Sequence, residues 1–112
     1  MGFWGTVLEI LSTKTVRDLA DAFKENSLAF EREYKGKSFY VRGYVEYVDS
    51  EYLSIGEDES NKIFCTYTVS CHFPSTFNDR LARLKKGKSV TVHGVYDGLT
   101  SGGFRMICDE LS

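Results

Sequence analysis

The sequence predicts a small, mainly β domain that begins with a helical region. The chain has 112 residues, which is the size of one ordinary domain. Aromatic residues make up 14% of it, a composition typical of strands packed around a filled core. The apolar pattern changes from a helical period to a period of two at Lys37, where the first strand is expected to begin.

Composition and charge narrow the functions that are open to this chain. Lysine and arginine total 14 against 16 acidic residues, giving a net charge of −2. Bulk charge therefore gives no support for wrapping duplex DNA, and nucleic-acid binding would need a local patch. Three cysteines without a Cys-x-x-Cys pair predict a reduced, cytoplasmic protein. We expect neither a membrane span nor a signal peptide, because no apolar stretch has the required length or flanking charge.

Residues 15–33 carry the spacing of an amphipathic helix. Its apolar positions are Val16, Leu19, Ala20, Phe23 and Phe30. Thr15 and Asp18 resemble a capping box at its start. Asn26 and Ser27 predict a bend or a break, and Gly36 predicts a left-handed cap at its end.

Five strands follow the helical region, each bounded by turn residues. Their predicted ranges are 37–47, 52–55, 62–73, 89–96 and 104–111. The first strand is expected to place Phe39, Val41, Gly43, Val45 and Tyr47 inward. A short helix beginning at Ser75 separates the third strand from the fourth, and a loop over 97–103 precedes the fifth. Gly43 and Gly94 lie inside strands, where glycine usually marks a bulge or a tight coil.

This order of elements is that of the OB fold, a five-stranded barrel with a helix between its third and fourth strands. The first strand of such a barrel must bend sharply to pair on both sides. We predict a single OB-fold domain over residues 15–112, preceded by a short apolar lead over residues 1–14.

Several segments of the chain also resemble a known family. The similarity is carried by 34–37 (YKGK), 41–45 (VRGYV), 69–73 (VSCHF), 84–94 (LKKGKSVTVHG) and Cys108. Together they resemble the tRNA_anti-like family of bacterial OB-fold domains over residues 15–111. The resemblance implies an OB fold and, through the family's name, a role with nucleic acid. It offers no catalytic motif to carry over.

The outer face of the first three predicted strands is the best candidate binding surface. In OB barrels the second and third strands and two neighbouring loops form the usual groove. The candidate residues are aromatic or basic: Tyr40, Arg42, Tyr44, Tyr52, Phe64 and His72. Bases stack on such rings, and arginine stacks or contacts phosphate. We therefore predict a non-enzymatic module that binds single-stranded DNA or RNA weakly.

Other interpretations stay open at this point. The N-terminal helix could cover part of this face and make some of its rings ordinary core. The acidic loop at 57–59 would repel a nucleic-acid backbone if it borders the groove. The alternative function is a protein-interaction or small-ligand module, including self-association through Phe3 and Trp4 in the apolar lead.

No motif for catalysis or metal binding stands out, so we expect neither an enzyme nor a cofactor. Cys71 and His72 are strand neighbours that point to opposite faces, and His93 is the other histidine. We expect Cys71 and Cys108 to approach as reduced core thiols if the third and fifth strands pair.

Overall fold

The computed structural model describes residues 9–57 and 67–112. Its strands are β1 (Lys14–Thr15), β2 (Ser38–Val48), β3 (Tyr52–Gly56), β4 (Thr68–His72), β5 (Ser89–Thr100) and β6 (Gly103–Leu111). Its helices are α1 (Val16–Glu25), α2 (Ser27–Tyr34) and α3 (Asn78–Ala82), with a 3₁₀ turn (Ser75–Phe77) before α3. The five strands expected from the sequence correspond to β2 through β6.

Strands β2 to β6 close into a barrel, which confirms the predicted OB fold. Their order is β2-β3-β4-β6-β5, and β5 pairs with β2 to complete the circle. Strands β4 and β6 are parallel, and the other barrel pairs are antiparallel. Strand β2 pairs with β5 over residues 38–44 and with β3 over residues 44–48, so the first barrel strand does pair on both sides.

The N-terminal helical region consists of two helices with the predicted start, break and end. Thr15 and Asp18 form a reciprocal capping box at the start of α1. Asn26 ends α1, and its side chain accepts a hydrogen bond from the Ala29 N–H at 3.0 Å, which caps α2. Gly36 follows α2 with φ 78°, the left-handed conformation that glycine adopts without a steric cost.

The two helices pack aromatic side chains against the barrel core. The Phe30 ring centroid lies 5.0 Å from that of Phe104 and 5.4 Å from that of Tyr96. The Tyr34 and Phe39 ring centroids are 5.2 Å apart. All five residues are buried, so the helices cover rings that face into the barrel.

Tyr47 corrects the predicted alternation of the first barrel strand. The sequence pattern places Tyr47 inward, but its side chain is 53% exposed. The pairing of β2 with β3 shifts by one residue between Val45 and Tyr47, which is a β-bulge. Such a bulge reverses the inward and outward sides of the strand beyond it. Val48 consequently packs against the core in the place predicted for Tyr47.

The prediction of a loop over residues 97–103 is also wrong. Strand β5 runs to Thr100, and a turn at residues 101–102 leads directly into β6. Polar and glycine residues at 97–98 suggest a loop, yet a second shift in pairing between Tyr96 and Gly98 lets the strand continue through them. The result is a long, twisted hairpin.

The third predicted strand is described only from residue 67, so Phe64 lies outside the described residues.

Cys71 and Cys108 are both free and buried. Burial raises the pKa of the Cys71 thiol, and its interaction with Cys108 raises it further. The two thiols therefore meet in the core, as the pairing of β4 with β6 predicts. Within the described parts of the chain, no helix is long and apolar enough to cross a membrane.

Candidate nucleic-acid interface

Three rings form a row on the outer surface of β2, β3 and β4. Tyr52 and His72 are directly opposite each other across the β3–β4 pair. Their ring centroids are 5.6 Å apart and the rings are inclined by 22°, which is a stacked arrangement. The Tyr47 ring lies 5.8 Å from Tyr52 on the other side. We call Tyr47, Tyr52 and His72 the aromatic face.

Local backbone features set this row in place. The bulge in β2 turns Tyr47 outward, as described above. At the β2–β3 turn the Asp49 carboxylate accepts hydrogen bonds from the N–H groups of Glu51 (2.7 Å) and Tyr52 (3.0 Å). These backbone hydrogen bonds hold the pKa of Asp49 below its usual value. The ionised carboxylate thus fixes the residue at which β3 begins and, with it, the position of Tyr52.

The aromatic face continues onto β6. His72 pairs with Ile107 in the parallel β4–β6 ladder, and Ile107 is 45% exposed. Arg105 lies two residues before it, and its Nε is 3.2 Å from an oxygen of Asp97. The surface therefore joins stacked rings, an apolar side chain and one guanidinium group.

Arg42 and Tyr44 lie further along β2, beside the start of α1. They line a pocket of about 210 Å³ together with Arg17 and Glu57. The Arg17 Nε is 3.9 Å from a carboxylate oxygen of Glu57. Tyr44 pairs with Gly56 in the β2–β3 ladder that also contains Tyr47 and Tyr52, so the two arginines of this pocket lie toward the Gly56 end of that ladder.

Tyr40 lies in a different environment, among carboxylates. Its ring is 4.6 Å from that of His93, and its hydroxyl donates to Glu110 at 3.1 Å. His93 Nδ1 is 2.7 Å from Asp109, and His93 Nε2 is 3.0 Å from Glu9. We call these five residues the His93 cluster.

The hydrogen bonds of the cluster raise the pKa values of His93 and Tyr40. Partial burial lowers the pKa of His93, but the hydrogen bonds to Asp109 and Glu9 outweigh it and leave the pKa above its usual value. The hydrogen bond to the Glu110 carboxylate raises the pKa of Tyr40, because it stabilises the protonated phenol.

The six residues predicted from sequence are thus divided among separate places. Tyr52 and His72 stack, Arg42 and Tyr44 share the pocket, Tyr40 joins the His93 cluster, and Phe64 is outside the described residues. Sequence reasoning missed Tyr47 and Ile107. Ile107 could have been found from the alternation of the last strand, whereas the alternation of the first strand gives no sign of the bulge that exposes Tyr47.

A closed five-stranded barrel of order β2-β3-β4-β6-β5, with a helix between its third and fourth strands, is the architecture of an OB-fold domain. The profile of the tRNA_anti-like family matches residues 8–106. The chain therefore belongs to the tRNA_anti-like family, which confirms the resemblance seen in the sequence. No curated protein matches it.

Solved structures share the fold at low sequence identity. A lipoprotein from Klebsiella pneumoniae subsp. pneumoniae, for which nucleic-acid binding has been proposed, is 20% identical with a TM-score of 0.70, and the match covers 91% of this chain and 92% of that one. A protein from Leishmania major Friedlin assigned as an aspartyl-tRNA synthetase is 9% identical with a TM-score of 0.63, covering 89% of this chain and 20% of that one. OBody AM3L09, in complex with hen egg-white lysozyme, is 16% identical with a TM-score of 0.53, covering 70% and 82%.

Proposed function

We propose that this protein is a non-enzymatic OB-fold module that binds single-stranded nucleic acid weakly through the aromatic face. The observation that carries the proposal is the stack of Tyr52 on His72, extended by Tyr47 on the outside of the barrel. Stacking of a base on an aromatic side chain contributes about 1–3 kcal/mol and tolerates any base. The family and the Klebsiella pneumoniae neighbour support the same general role.

The charges around the aromatic face support weak binding. Arg42 and Arg17 lie near one end of it, where they can contact phosphate groups beside Tyr44. Asp49 lies at the other end, in the β2–β3 turn, and its negative charge opposes phosphate. Tyr40 is outside the proposed interface, because the carboxylates of the His93 cluster would repel the same phosphates.

A fluorescence-anisotropy titration of labelled single-stranded DNA and RNA oligomers tests this function. We expect micromolar binding at low salt that weakens at physiological salt. Tyr52→Ala should weaken binding by about fivefold or more, since about 1 kcal/mol of stacking is lost. Tyr40→Ala is the matched control, because it removes another outer tyrosine from the same barrel. Absence of binding at low salt, or equal losses in the two variants, contradicts the proposal.

Protein binding is the second candidate function, and exposed Ile107 favours it because an apolar side chain extends the aromatic face. The residues predicted for self-association, Phe3 and Trp4, lie outside the described residues. If they mediate a dimer, a Phe3→Ala/Trp4→Ala variant should halve the mass found by sedimentation equilibrium. An unchanged mass contradicts that form of the alternative.

The cytoplasmic location stays a prediction, which fractionation of the native cells would check.

A further inference from the structure

The His93 cluster brings three potential metal ligands together on the outside of the barrel. A ring nitrogen of His93 and one carboxylate oxygen each of Asp109 and Glu110 all lie within 4.8 Å of one another, and Nδ1 is the nitrogen that faces Asp109. Glu9 and Tyr40 complete the group from the N-terminal segment and from β2. The cluster is separate from the aromatic face, so this inference does not depend on the proposed function.

A β-bulge in β6 creates this juxtaposition. His93 pairs with Glu110, whereas Gly94 pairs with Cys108, so Asp109 is an extra residue in the ladder. Successive side chains of a regular strand point to opposite faces, which would separate the two carboxylates. The bulge instead brings both carboxylates to the side of the barrel that carries His93. Bulges of this kind often redirect a side chain beside a functional site.

Gly94 makes the bulge possible. A Cβ atom at this position would lie 2.4 Å from the carbonyl oxygen of Ile107 and 2.7 Å from the Cα of Cys108. The close backbone approach therefore requires glycine here. The glycine and the convergence of carboxylates are two parts of one local structure.

The hydrogen bonds around the cluster hold its side chains in an orientation suited to a metal. His93 Nε2 lies 3.0 Å and 3.2 Å from the two oxygens of Glu9, whose carboxylate also accepts from the Ser38 hydroxyl. Tyr40 donates to Glu110 in the same way. Metal-binding histidines commonly donate their other ring N–H to a carboxylate. With that proton on Nε2, Nδ1 and the carboxylates of Asp109 and Glu110 are three acceptor groups close to one another, and a cation between them satisfies all three.

We propose that His93 Nδ1, Asp109 and Glu110 bind a divalent transition-metal ion, with Zn²⁺ as the representative ion. One imidazole and two carboxylates form a donor set that Zn²⁺ accepts, with water in the remaining position. Glu9 acts as the positioning residue, since it orients the imidazole from its far side. The ion takes the place of a proton between His93 and Asp109.

Isothermal titration calorimetry of the metal-free full chain with Zn²⁺ measures the affinity of the proposed site. Asp109→Asn and Glu110→Gln keep the side-chain shape and remove one ligand charge, so each should weaken binding at least tenfold. Glu9→Gln removes the partner of Nε2 and should weaken binding about tenfold. Asp79→Asn, in the first turn of α3, is the matched control and should change the affinity less than twofold.

Three results would contradict the proposed metal site. These are no Zn²⁺ binding by the wild-type chain, the same affinity in Asp109→Asn as in Asp79→Asn, or a thiolate charge-transfer band when Co²⁺ replaces Zn²⁺. The last result would assign the ion to a cysteine. Circular dichroism of each variant shows that the barrel is intact, and the imidazole ¹⁵N shifts report whether the ion binds at Nδ1.

Discussion

The barrel carries two tyrosine–histidine pairs on its outer surface, and the two pairs differ in ring geometry and in the side chains around them. Tyr52 pairs with His72 across β3 and β4, and Tyr40 pairs with His93 across β2 and β5. The first pair stacks with an angle of 22° and has Tyr47 beside it. The second is tilted by 52°, with Glu9, Asp109 and Glu110 bonded around it. The comparison teaches that the neighbours, not the two residue types, decide what a surface can bind.

The backbone produces the difference between the pairs. Each pair has an aspartate nearby, but the Asp49 carboxylate is occupied by two backbone N–H groups of the β2–β3 turn. Asp109 lies in a bulge and faces the imidazole of His93. One carboxylate thus supports the fold beside an aromatic surface, and the other supplies charge to a histidine.

The largest expected effect comes from removing the bulge. Gly94→Ala places a methyl group against the Ile107 carbonyl, and we expect the free energy of unfolding to fall by about 2 kcal/mol or more. Urea denaturation measures this loss. Gly102→Ala is the control, since the nearest atom to its Cβ is 3.9 Å away. Equal stability of the two variants would show that the close approach is not a constraint.

A reciprocal pair of histidine variants separates the two surfaces. His93→Gln should weaken Zn²⁺ binding at least tenfold and leave the affinity for single-stranded oligomers within twofold. His72→Ala should weaken oligomer binding about fivefold, through lost stacking, and leave Zn²⁺ binding unchanged. Calorimetry and anisotropy on the same two proteins measure all four values. The comparison fails if either variant impairs both activities.

A smaller effect is expected from adding charge to the aromatic face. Ile107→Lys should strengthen oligomer binding about threefold and raise the salt dependence by about one counterion, because a cation beside His72 contacts phosphate. Leu28→Lys, at an exposed position of α2, provides the matched control and should have little effect. Equal gains from both lysines would mean that net charge alone steers the oligomer.

The smallest effect concerns pH and the turn beside Tyr52. The folded pKa of Asp49 lies below its usual value of 3.8, because backbone N–H groups stabilise the ionised form. Its stabilisation is therefore fully present above the unfolded pKa and is lost as pH falls through the folded pKa. We expect the wild type to be more stable than Asp49→Asn near neutral pH and to lose that advantage in acid.

Urea midpoints across this pH range measure the effect of Asp49. Glu51→Gln removes the same charge from the same turn and serves as the control. A stability difference between wild type and Asp49→Asn that stays constant down to the most acidic pH would contradict the role of the ionised carboxylate.

The period of the apolar residues and the helix-capping signals were sufficient to predict the fold. Thr15 and Asn26 cap helices that begin at the next residue, and Gly36 follows the end of α2. Their roles therefore follow from the local sequence. Bulges depend on how two strands meet, and single-strand alternation does not contain that information. This is why Tyr47 is predicted on the wrong side of β2, and why the sequence pattern ends β5 at Tyr96 although the strand continues to Thr100.

The candidate sites were less predictable than the fold for the same reason. Tyr52 and His72 were both predicted to lie on the outer face, and only the register of β3 with β4 shows that they stack. The His93 cluster was missed, because Glu9 lies 84 residues from His93 and regular alternation separates Asp109 from Glu110. Gly94 beside His93 was the one local signal available.

The closure of β2 onto β5 also affects how the protein is made. Phe39 and Val41 of β2 pair with Gly94 and Val92, so the barrel stays open until β5 has been synthesised. Translation at about 5–20 residues per second delays that pairing by roughly 3–10 s. The helical region precedes β2 in the chain, and in the folded protein its Phe30 and Tyr34 pack in the core with Phe39 of β2. All the residues that contact β2 from the helical region are therefore synthesised before the strand that closes the barrel.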